Sequence, residues 1–309
     1  MKILITGARG MVGRNVAADP RSAGHDLLTP SRDILDLTDA RATDAYIARH
    51  RPELIIHAAG LVGGIQANMA AQARFLAENL GIGLNVLTAA ARAGVPNLIN
   101  LGSSCMYPRD LEGFLSEDRL LTAPLEPTNE GYAIAKIAAC KLTTALNADS
   151  ELRAWRTLIP CNLYGPFDHY APDRSHLMAA IVAKTETARR GGHATVDMWG
   201  DGAARREFMF VGDLADFIWR FHDRLNDLPD VINVGVGVDA TIEDYYRAVA
   251  DAVGFRGGIT RDLTRPVGMR RKLMGVAAQS RLGWRPPTSL TAGLTQTVAD
   301  YRRRYPDHG

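Results

Sequence analysis

Cysteine is scarce, with three in 309 residues. Cys105, Cys140 and Cys161 fall into no paired or metal-ligand spacing, which excludes a disulfide framework and a cysteine-rich zinc site; no bound metal is expected. No apolar run approaches the 18 or more residues of a membrane span. Met1-Lys2 leads straight into a strand-like segment instead of a signal peptide, so a cytoplasmic protein is expected. A preponderance of one charge is missing too. Lys and Arg number 36 against 34 Asp and Glu, a net charge of +2, so no general field draws nucleic acid or an anionic membrane. The densest basic run, Arg302-Arg303-Arg304, closes a helix-like segment and reads as a solvated last turn that suits the helix dipole. Repeats and low-complexity segments are absent. The 29 Gly and 15 Pro are scattered, which rules out collagen-like architecture.

What is present is an ordinary globular composition, 46% hydrophobic and 23% charged. A chain of this size buries about three quarters of its unfolded surface, ample for one large core and a smaller lobe. The first half alternates. Lys2–Thr6, Asp26–Thr29, Leu54–Ala58, Asn97–Leu101 and Trp155–Ile159 read as strands, with helix-like stretches between them, among them Ala70–Ala93 (read as a buried helix) and Tyr132–Ala148. Short apolar strands alternating with helices predict a parallel sheet covered on both faces, a doubly wound Rossmann-type α/β domain. After Pro166 the texture becomes more polar, with one helix-like stretch near His176–Arg190. Phe208–Phe210 and Val231–Val234 look like strands able to return to the sheet. Thr241 with Asp244 three residues on marks a helix start, and a final helix begins near Leu290. The expected division is residues 1–166 plus about 207–236 for the dinucleotide domain. A smaller α+β substrate lobe, formed mainly by the C-terminal part, takes about 167–206 plus 237–309.

Gly7-Ala8-Arg9-Gly10-Met11-Val12-Gly13 follows the first strand and opens the first helix. Gly7 suits the positive φ of a tight turn. Gly10 lets the backbone approach a pyrophosphate, and Gly13 lets helix and strand pack closely. The N–H groups at Met11 and Val12 then face the phosphates at a helix N-terminus. The choice between NAD and NADP falls at the end of the second strand, where an acidic residue would hold the ribose 2′-OH. Arg32 there, with Arg9 in the glycine turn, suits a 2′-phosphate, so NADP(H) is the expected cofactor. Asp33 adjoins Arg32 and is the residue through which NAD would be read instead; Arg32 paired with Asp33 or Asp36 would be a plain surface arginine. Asp36-Leu37 is placed beside the adenine.

Tyr132 and Lys136 stand four apart, on one face of a helix. A free phenol, with a pKa of about 10, is too weak an acid for work near neutrality. A neighbouring ammonium and an oxidised nicotinamide would lower it, and Lys136 can also hold the nicotinamide ribose. Ser103 follows the fourth strand, at the carboxyl end where open α/β sheets place ligands, so its hydroxyl can polarise a substrate carbonyl.

Taken together, these residues resemble the extended short-chain dehydrogenase/reductase family, whose members act on nucleotide sugars. His57-Ala58-Ala59-Gly60 is similar to the family's H-A-A-x signature beside the cofactor, and His57 is given no catalytic role. More specific are LGSSCMYP (101–108), LEPTNEGYAIAK (125–136), NLYGP (162–166), Ser175-His176, WGDGAARREF (199–208), Gly235–Asp239 and Arg271-Lys272-Leu273. In this order the chain resembles, from residue 1 to about 300, the GDP-L-fucose synthase family of GDP-4-keto-6-deoxy-D-mannose 3,5-epimerase/4-reductases.

The chemistry fits the residues. A C4 ketone acidifies the hydrogens at C3 and C5, so epimerisation needs one group to remove a proton and another to return it on the opposite face. Cys105 can be a thiolate base, its pKa lowered by neighbouring cations, and His176, which titrates near the working pH, can be the acid. The resemblance assigns the same roles, with Ser103, Tyr132 and Lys136 as the reductase trio. Without it Cys105 reads as a small buried hydrophobe and His176 as a helix-start residue; Cys140 and Cys161 stay structural. The resemblance also implies a GDP-sugar substrate stacked on Trp199 and anchored at its diphosphate by Arg206 and Lys272. It further implies a homodimer formed through the Ala70–Ala93 and Tyr132–Ala148 helices.

Four departures fall in or near the substrate lobe or its junction with the cofactor domain. Lys184 stands where the family usually has an arginine, and an ammonium cannot form the same fork. G-T-P-R-K has become Gly268-Met269-Arg270-Arg271-Lys272, the Asp after R-K-L-L is Gly275, and an H-V-D-D-like stretch is Phe210-Val211-Gly212-Asp213. The competing readings are an epimerase-only or reductase-only enzyme on another GDP-linked 4-keto sugar, such as a deoxyheptose, and an NAD-dependent nucleotide-sugar epimerase or dehydratase. A sensor that keeps the fold without the chemistry is disfavoured by the intact Tyr132 and Lys136.

Overall fold

The computed structural model describes residues 1–171, 175–264 and 269–306. The first half runs β1 (Lys2–Thr6), α1 (Met11–Ala18), β2 (Asp26–Leu28), α2 (Ala40–His50), β3 (Leu54–His57), α3 (Ile65–Ala70), α4 (Gln72–Arg92), β4 (Asn97–Leu101), α5 (Glu130–Ala148) and β5 (Ala154–Pro160). The remainder runs β6 (Asn162–Tyr164), α6 (Leu177–Arg190), β7 (Thr195–Trp199), β8 (Arg205–Arg206), β9 (Phe208–Phe210), α7 (Val211–Phe221), β10 (Val231–Val234), β11 (Ala240–Thr241), α8 (Ile242–Val253), β12 (Gly258–Asp262), β13 (Arg271–Lys272), α9 (Ala277–Arg281) and α10 (Leu290–Arg304).

Six parallel strands form the main sheet in the order β10-β5-β4-β3-β1-β2. Its central strands are almost wholly buried, which is why they read as continuous apolar runs. Alternate residues serve opposite faces. Ile3, Ile5, Leu54, Ile56, Ile99 and Leu158 share a core with Leu214, Phe217, Ile218 and Phe221 of α7. Leu4, Ile55, Leu98 and Trp155 pack instead with Ile47 of α2 and Val86, Leu87 and Ala90 of α4. The strand order reverses between β1 and β3, and the crevice beyond their carboxyl ends is where such sheets bind ligands. A separate core joins α6, α8 and α10 through Met178, Ile181, Val182, Tyr245, Tyr246, Val249, Leu294 and Val298.

Several expectations are corrected. Phe208–Phe210 does not return to the main sheet; it pairs in parallel with β6, Asn162 opposite Phe208 and Tyr164 opposite Phe210. Ala70–Ala93 is not one helix, because Ala71 (φ −146°) interrupts it. Nor is it buried throughout: Leu80 and Leu84 are exposed, as is Ile134 on α5. The Arg302–Arg304 run is more than a solvated turn. Arg302 bonds both carboxylate oxygens of Glu186, which is fully buried, and the carbonyl of Val253. Arg304 reaches the carbonyl of Asp168, and only Arg303 is chiefly solvated. Gly268 lies outside the described residues. No described helix is long and apolar enough to cross a membrane.

Candidate active site

The cofactor cradle is made by what its residues lack. Gly7 has φ +69°, and a Cβ there would sit 2.7–2.8 Å from the backbone of Ala58 and Ala59 beyond β3. A Cβ on Gly13 would run into the Gly7 carbonyl and Ala8 Cα. The turn closes with Gly10 N–H donating to Gly7 O at 2.9 Å, and α1 starts with no side-chain cap, leaving its first N–H groups to a ligand. These features fit a dinucleotide pyrophosphate. Arg9 and Arg32 are exposed on neighbouring loops at the carboxyl ends of β1 and β2. Arg32 keeps only a long, exposed 3.5 Å contact with Asp36. Asp36 is committed locally to the Thr38 N–H and hydroxyl, and the Leu37 carbonyl accepts from Asn85.

His57 is a core residue. Its Nδ1 pairs with Thr6 Oγ1 at 2.8 Å, and burial, aided by Lys136, pulls its pKa down to about 3. Two further residues shape this wall without having stood out in the sequence. Asn79, a buried amide in an alanine-rich helix, donates to the Leu61 carbonyl and accepts from the Leu61 N–H. Gly60 lets that segment pass, since a Cβ would meet Asn79 Oδ1 at 2.9 Å and lie 3.7 Å from Lys136 Nζ. Asn79 is 5% exposed, a burial that its sequence context does not announce.

Four of the candidate catalytic residues, Ser103, Cys105, Tyr132 and Lys136, gather at the carboxyl end of β4. Ser103 caps a one-turn helix at 104–106, accepting from the Cys105 N–H at 3.4 Å and from the Cys105 thiol at 3.2 Å. Lys136 Nζ donates to the Leu101 carbonyl at 2.9 Å and stands 5.9 Å from the Tyr132 ring centroid. Burial lowers the Lys136 pKa to about 8. The lowering of the Tyr132 phenol pKa expected from Lys136 and an oxidised nicotinamide is not produced by the protein groups alone. Burial, with a contribution from Cys105, pushes its phenol up, and the bond with Ser103 only partly opposes this. Cys105 is raised as well, because burial outweighs the pull of Lys272, Ser103 and Lys136. In this state both groups keep their protons: the phenol is a donor, and the thiol needs more positive charge to become a base.

His176 is the exposed N-cap residue of α6, and its pKa is lowered by burial among protein atoms and by nearby His169; among the described residues no hydrogen bond or ion pair joins it to Ser103, Cys105, Tyr132 or Lys136. Arg206 and Lys272 lie side by side, because β8 and β13 pair in parallel with these residues as partners. Each is partly buried and lowered in pKa by burial, with Glu126 acting on both in the opposite sense. Lys184 and Trp199 form a separate pair: the ammonium lies 5.3 Å over the indole and bonds Asp197 at 2.7 Å. Asp213, in the departed H-V-D-D stretch, is used structurally, accepting from the Thr288 hydroxyl and N–H.

Residues 3–235 match the NAD dependent epimerase/dehydratase family. GDP-L-colitose synthase of Yersinia pseudotuberculosis is 46% identical over 297 residues, covering 96% of each chain. GDP-L-fucose synthase of Azorhizobium caulinodans is 46% identical over 300 residues, covering 97% of this chain and 96% of its own. Among solved structures, a GDP-mannoheptose C4 reductase from Campylobacter jejuni with NADP bound superimposes with a TM-score of 0.87. It is 29% identical, over 97% of this chain and 98% of that one. The chain belongs to the NAD dependent epimerase/dehydratase family, the extended short-chain dehydrogenase/reductases, and within it to the GDP-L-fucose synthase-like nucleotide-sugar epimerase/reductases. It is thus an enzyme with a nucleotide-sugar substrate and an NAD(P)-dependent fold.

Proposed function

We propose that this enzyme uses NADPH to epimerise a GDP-4-keto-6-deoxy sugar at C3 and C5 and to reduce it at C4, with GDP-4-keto-6-deoxy-D-mannose giving GDP-L-fucose. The observation that carries this reading is the joining of a proton-transfer thiol to a reductase trio, Cys105 donating to Ser103 at 3.2 Å. A plain ketoreductase has no use for a thiol there. NADPH, when bound, supplies the hydride. Ser103 polarises the C4 carbonyl, and Tyr132, held protonated by burial, delivers the proton to the forming alkoxide. Lys136 is fixed by the Leu101 carbonyl where it can hold the cofactor ribose. Cys105 removes the C3 and C5 protons once the positive charge around it grows, with Lys272 already favouring its thiolate. His176 returns protons on the opposite face.

Arg206 and Lys272 hold the GDP diphosphate, Trp199 stacks on the substrate, and Lys184 sits under that indole in place of the usual arginine. Arg9 and Arg32 receive the 2′-phosphate of NADPH, with Asp36 and Leu37 at the adenine. In this reading residues 1–166 plus about 207–236 serve the cofactor and about 167–206 plus 237–309 the substrate. Two copies associate through α4 and α5, whose outer faces expose Leu80, Leu84 and Ile134 around a shallow apolar groove lined by Gly81, Ala138 and Leu142. Incubation with GDP-4-keto-6-deoxymannose and NADPH, with NMR identification of the product, tests the reading; GDP-L-fucose is expected. A second reading, another GDP-linked 4-keto sugar, is favoured by the equal identity to the relative named for colitose and by Lys184. It predicts that the mannose-derived ketone is turned over poorly.

A further inference from the structure

Glu207 lies between β8 and β9 and is 1% exposed. Its Oε1 accepts the N–H groups of Val236 and, at 2.8 Å, Gly237; its Oε2 accepts the Met274 N–H at 2.7 Å. Its own carbonyl accepts from Asn162 Nδ2 at 2.8 Å. One side chain therefore ties three segments together: its own, which follows Arg206 directly; the loop leaving β10; and the chain two residues beyond Lys272. A buried carboxylate is costly unless hydrogen bonds satisfy it, and burial here pushes its pKa up. An apolar residue of the same size would leave the Val236, Gly237 and Met274 N–H groups without an acceptor, so the carboxylate fixes where these segments sit around the two cations. Arg206 and Lys272 stand as register partners on strands of two residues each, and Arg206 works against the charged form of Lys272. The ladder is short; on one side Asp239, accepting from both Arg205 and Arg271, ties β8 to β13, and Glu207 ties the segments that follow Arg206 and Lys272 on the other.

We propose that Glu207 is a positioning residue that sets the spacing of Arg206 and Lys272 and so tunes the site for a nucleoside diphosphate. This rests on the reading of those two cations as the diphosphate anchors.

The test is calorimetric binding of GDP, with NADPH binding by fluorescence and thermal melting as controls. Glu207→Gln keeps the shape but turns an amide NH₂ toward a backbone donor. GDP affinity should fall about 10- to 100-fold, the scale of a lost charge-assisted contact, with NADPH affinity unchanged within about twofold because the glycine turn is remote. Gly235→Ala reaches the same point without altering charge, since its Cβ would collide with Glu207 Oε1; it carries the test if the Gln variant does not fold. In both variants KM for the nucleotide sugar should rise more than kcat falls. Arg206→Ala and Lys272→Ala separate the two ways of failing. If they lose GDP affinity while both Glu207→Gln and Gly235→Ala keep it, the positioning role is overturned and the anchors stand. If neither alanine variant loses affinity, the anchor reading falls and takes the positioning role with it.

Discussion

The two walls of the proposed site, one for the cofactor and one for the substrate, are built in opposite ways. The cofactor wall consists of backbone and small residues close in sequence: Gly7, Gly10 and Gly13 within seven positions, facing Ala58 and Ala59 across the switch point. The substrate wall consists of side chains drawn from residues 103 to 272 and held by a two-residue ladder, a one-turn helix and buried polar groups. The first works because atoms are missing, and adding one methyl should damage it. The second works because particular atoms are present, and a lost proton or charge should damage it.

The sharpest way to break this contrast is to remove one oxygen from the substrate wall. Tyr132→Phe keeps the ring and deletes the proton donor, so the rate of NADPH oxidation with a 4-keto sugar should fall about 10²–10⁴-fold while NADPH binding holds. A rate near wild type would show that another group donates. On the cofactor wall the complementary change adds a methyl: Gly13→Ala places a Cβ against the Gly7 carbonyl. NADPH affinity should drop about 10- to 100-fold, the scale of a lost charge-assisted hydrogen bond to the pyrophosphate, in a protein that still melts cooperatively. Unaltered affinity by fluorescence titration would mean the turn has room to spare. Arg32→Ala sharpens the comparison, because here the cofactor wall does use a side chain. It should cost about 5- to 150-fold in NADPH affinity and little for NADH, measured by paired titrations.

The smallest effect concerns stability. The folded-state pKa of His57, about 3, lies below its ordinary 6.5, so between these values the unfolded chain binds the extra proton. The contribution is whole above about pH 6.5 and is lost as pH falls toward 3, amounting to about 2 kcal/mol by pH 5. Denaturant titrations at pH 7 and pH 5 should show this slope flattened in His57→Gln. An unchanged slope would mean that other groups govern it.

The same contrast explains what could be read from the residues alone. The glycine turn, the Tyr132–Lys136 spacing and the apolar strands are local patterns, and periodicity reveals them directly. The pairing of Phe208–Phe210 with β6 is not local: three apolar residues look alike whether they join one sheet or another. The Arg302–Arg304 run looked solvated because its partner, Glu186, lies 116 positions earlier on α6. Asn79 and Glu207 escaped notice because an amide in an alanine-rich helix and a carboxylate between an arginine and a phenylalanine carry no pattern. Their meaning comes from backbone groups that fold against them. The upward shifts of Tyr132 and Cys105 could not be foreseen either, since spacing reveals a neighbouring ammonium but not the depth of burial opposing it.

In the proposed mechanism, proton transfer at carbon and reduction at the carbonyl use different groups. This separation is tested most directly by following GDP-4-keto-6-deoxymannose in D₂O by NMR without NADPH, comparing wild type, Cys105→Ala and Tyr132→Phe. Wild type and Tyr132→Phe should incorporate deuterium at C3 and C5, while Cys105→Ala should exchange about 10²–10⁴-fold more slowly yet still oxidise NADPH when it is supplied. Normal exchange in Cys105→Ala would contradict the account and make the thiol a structural residue.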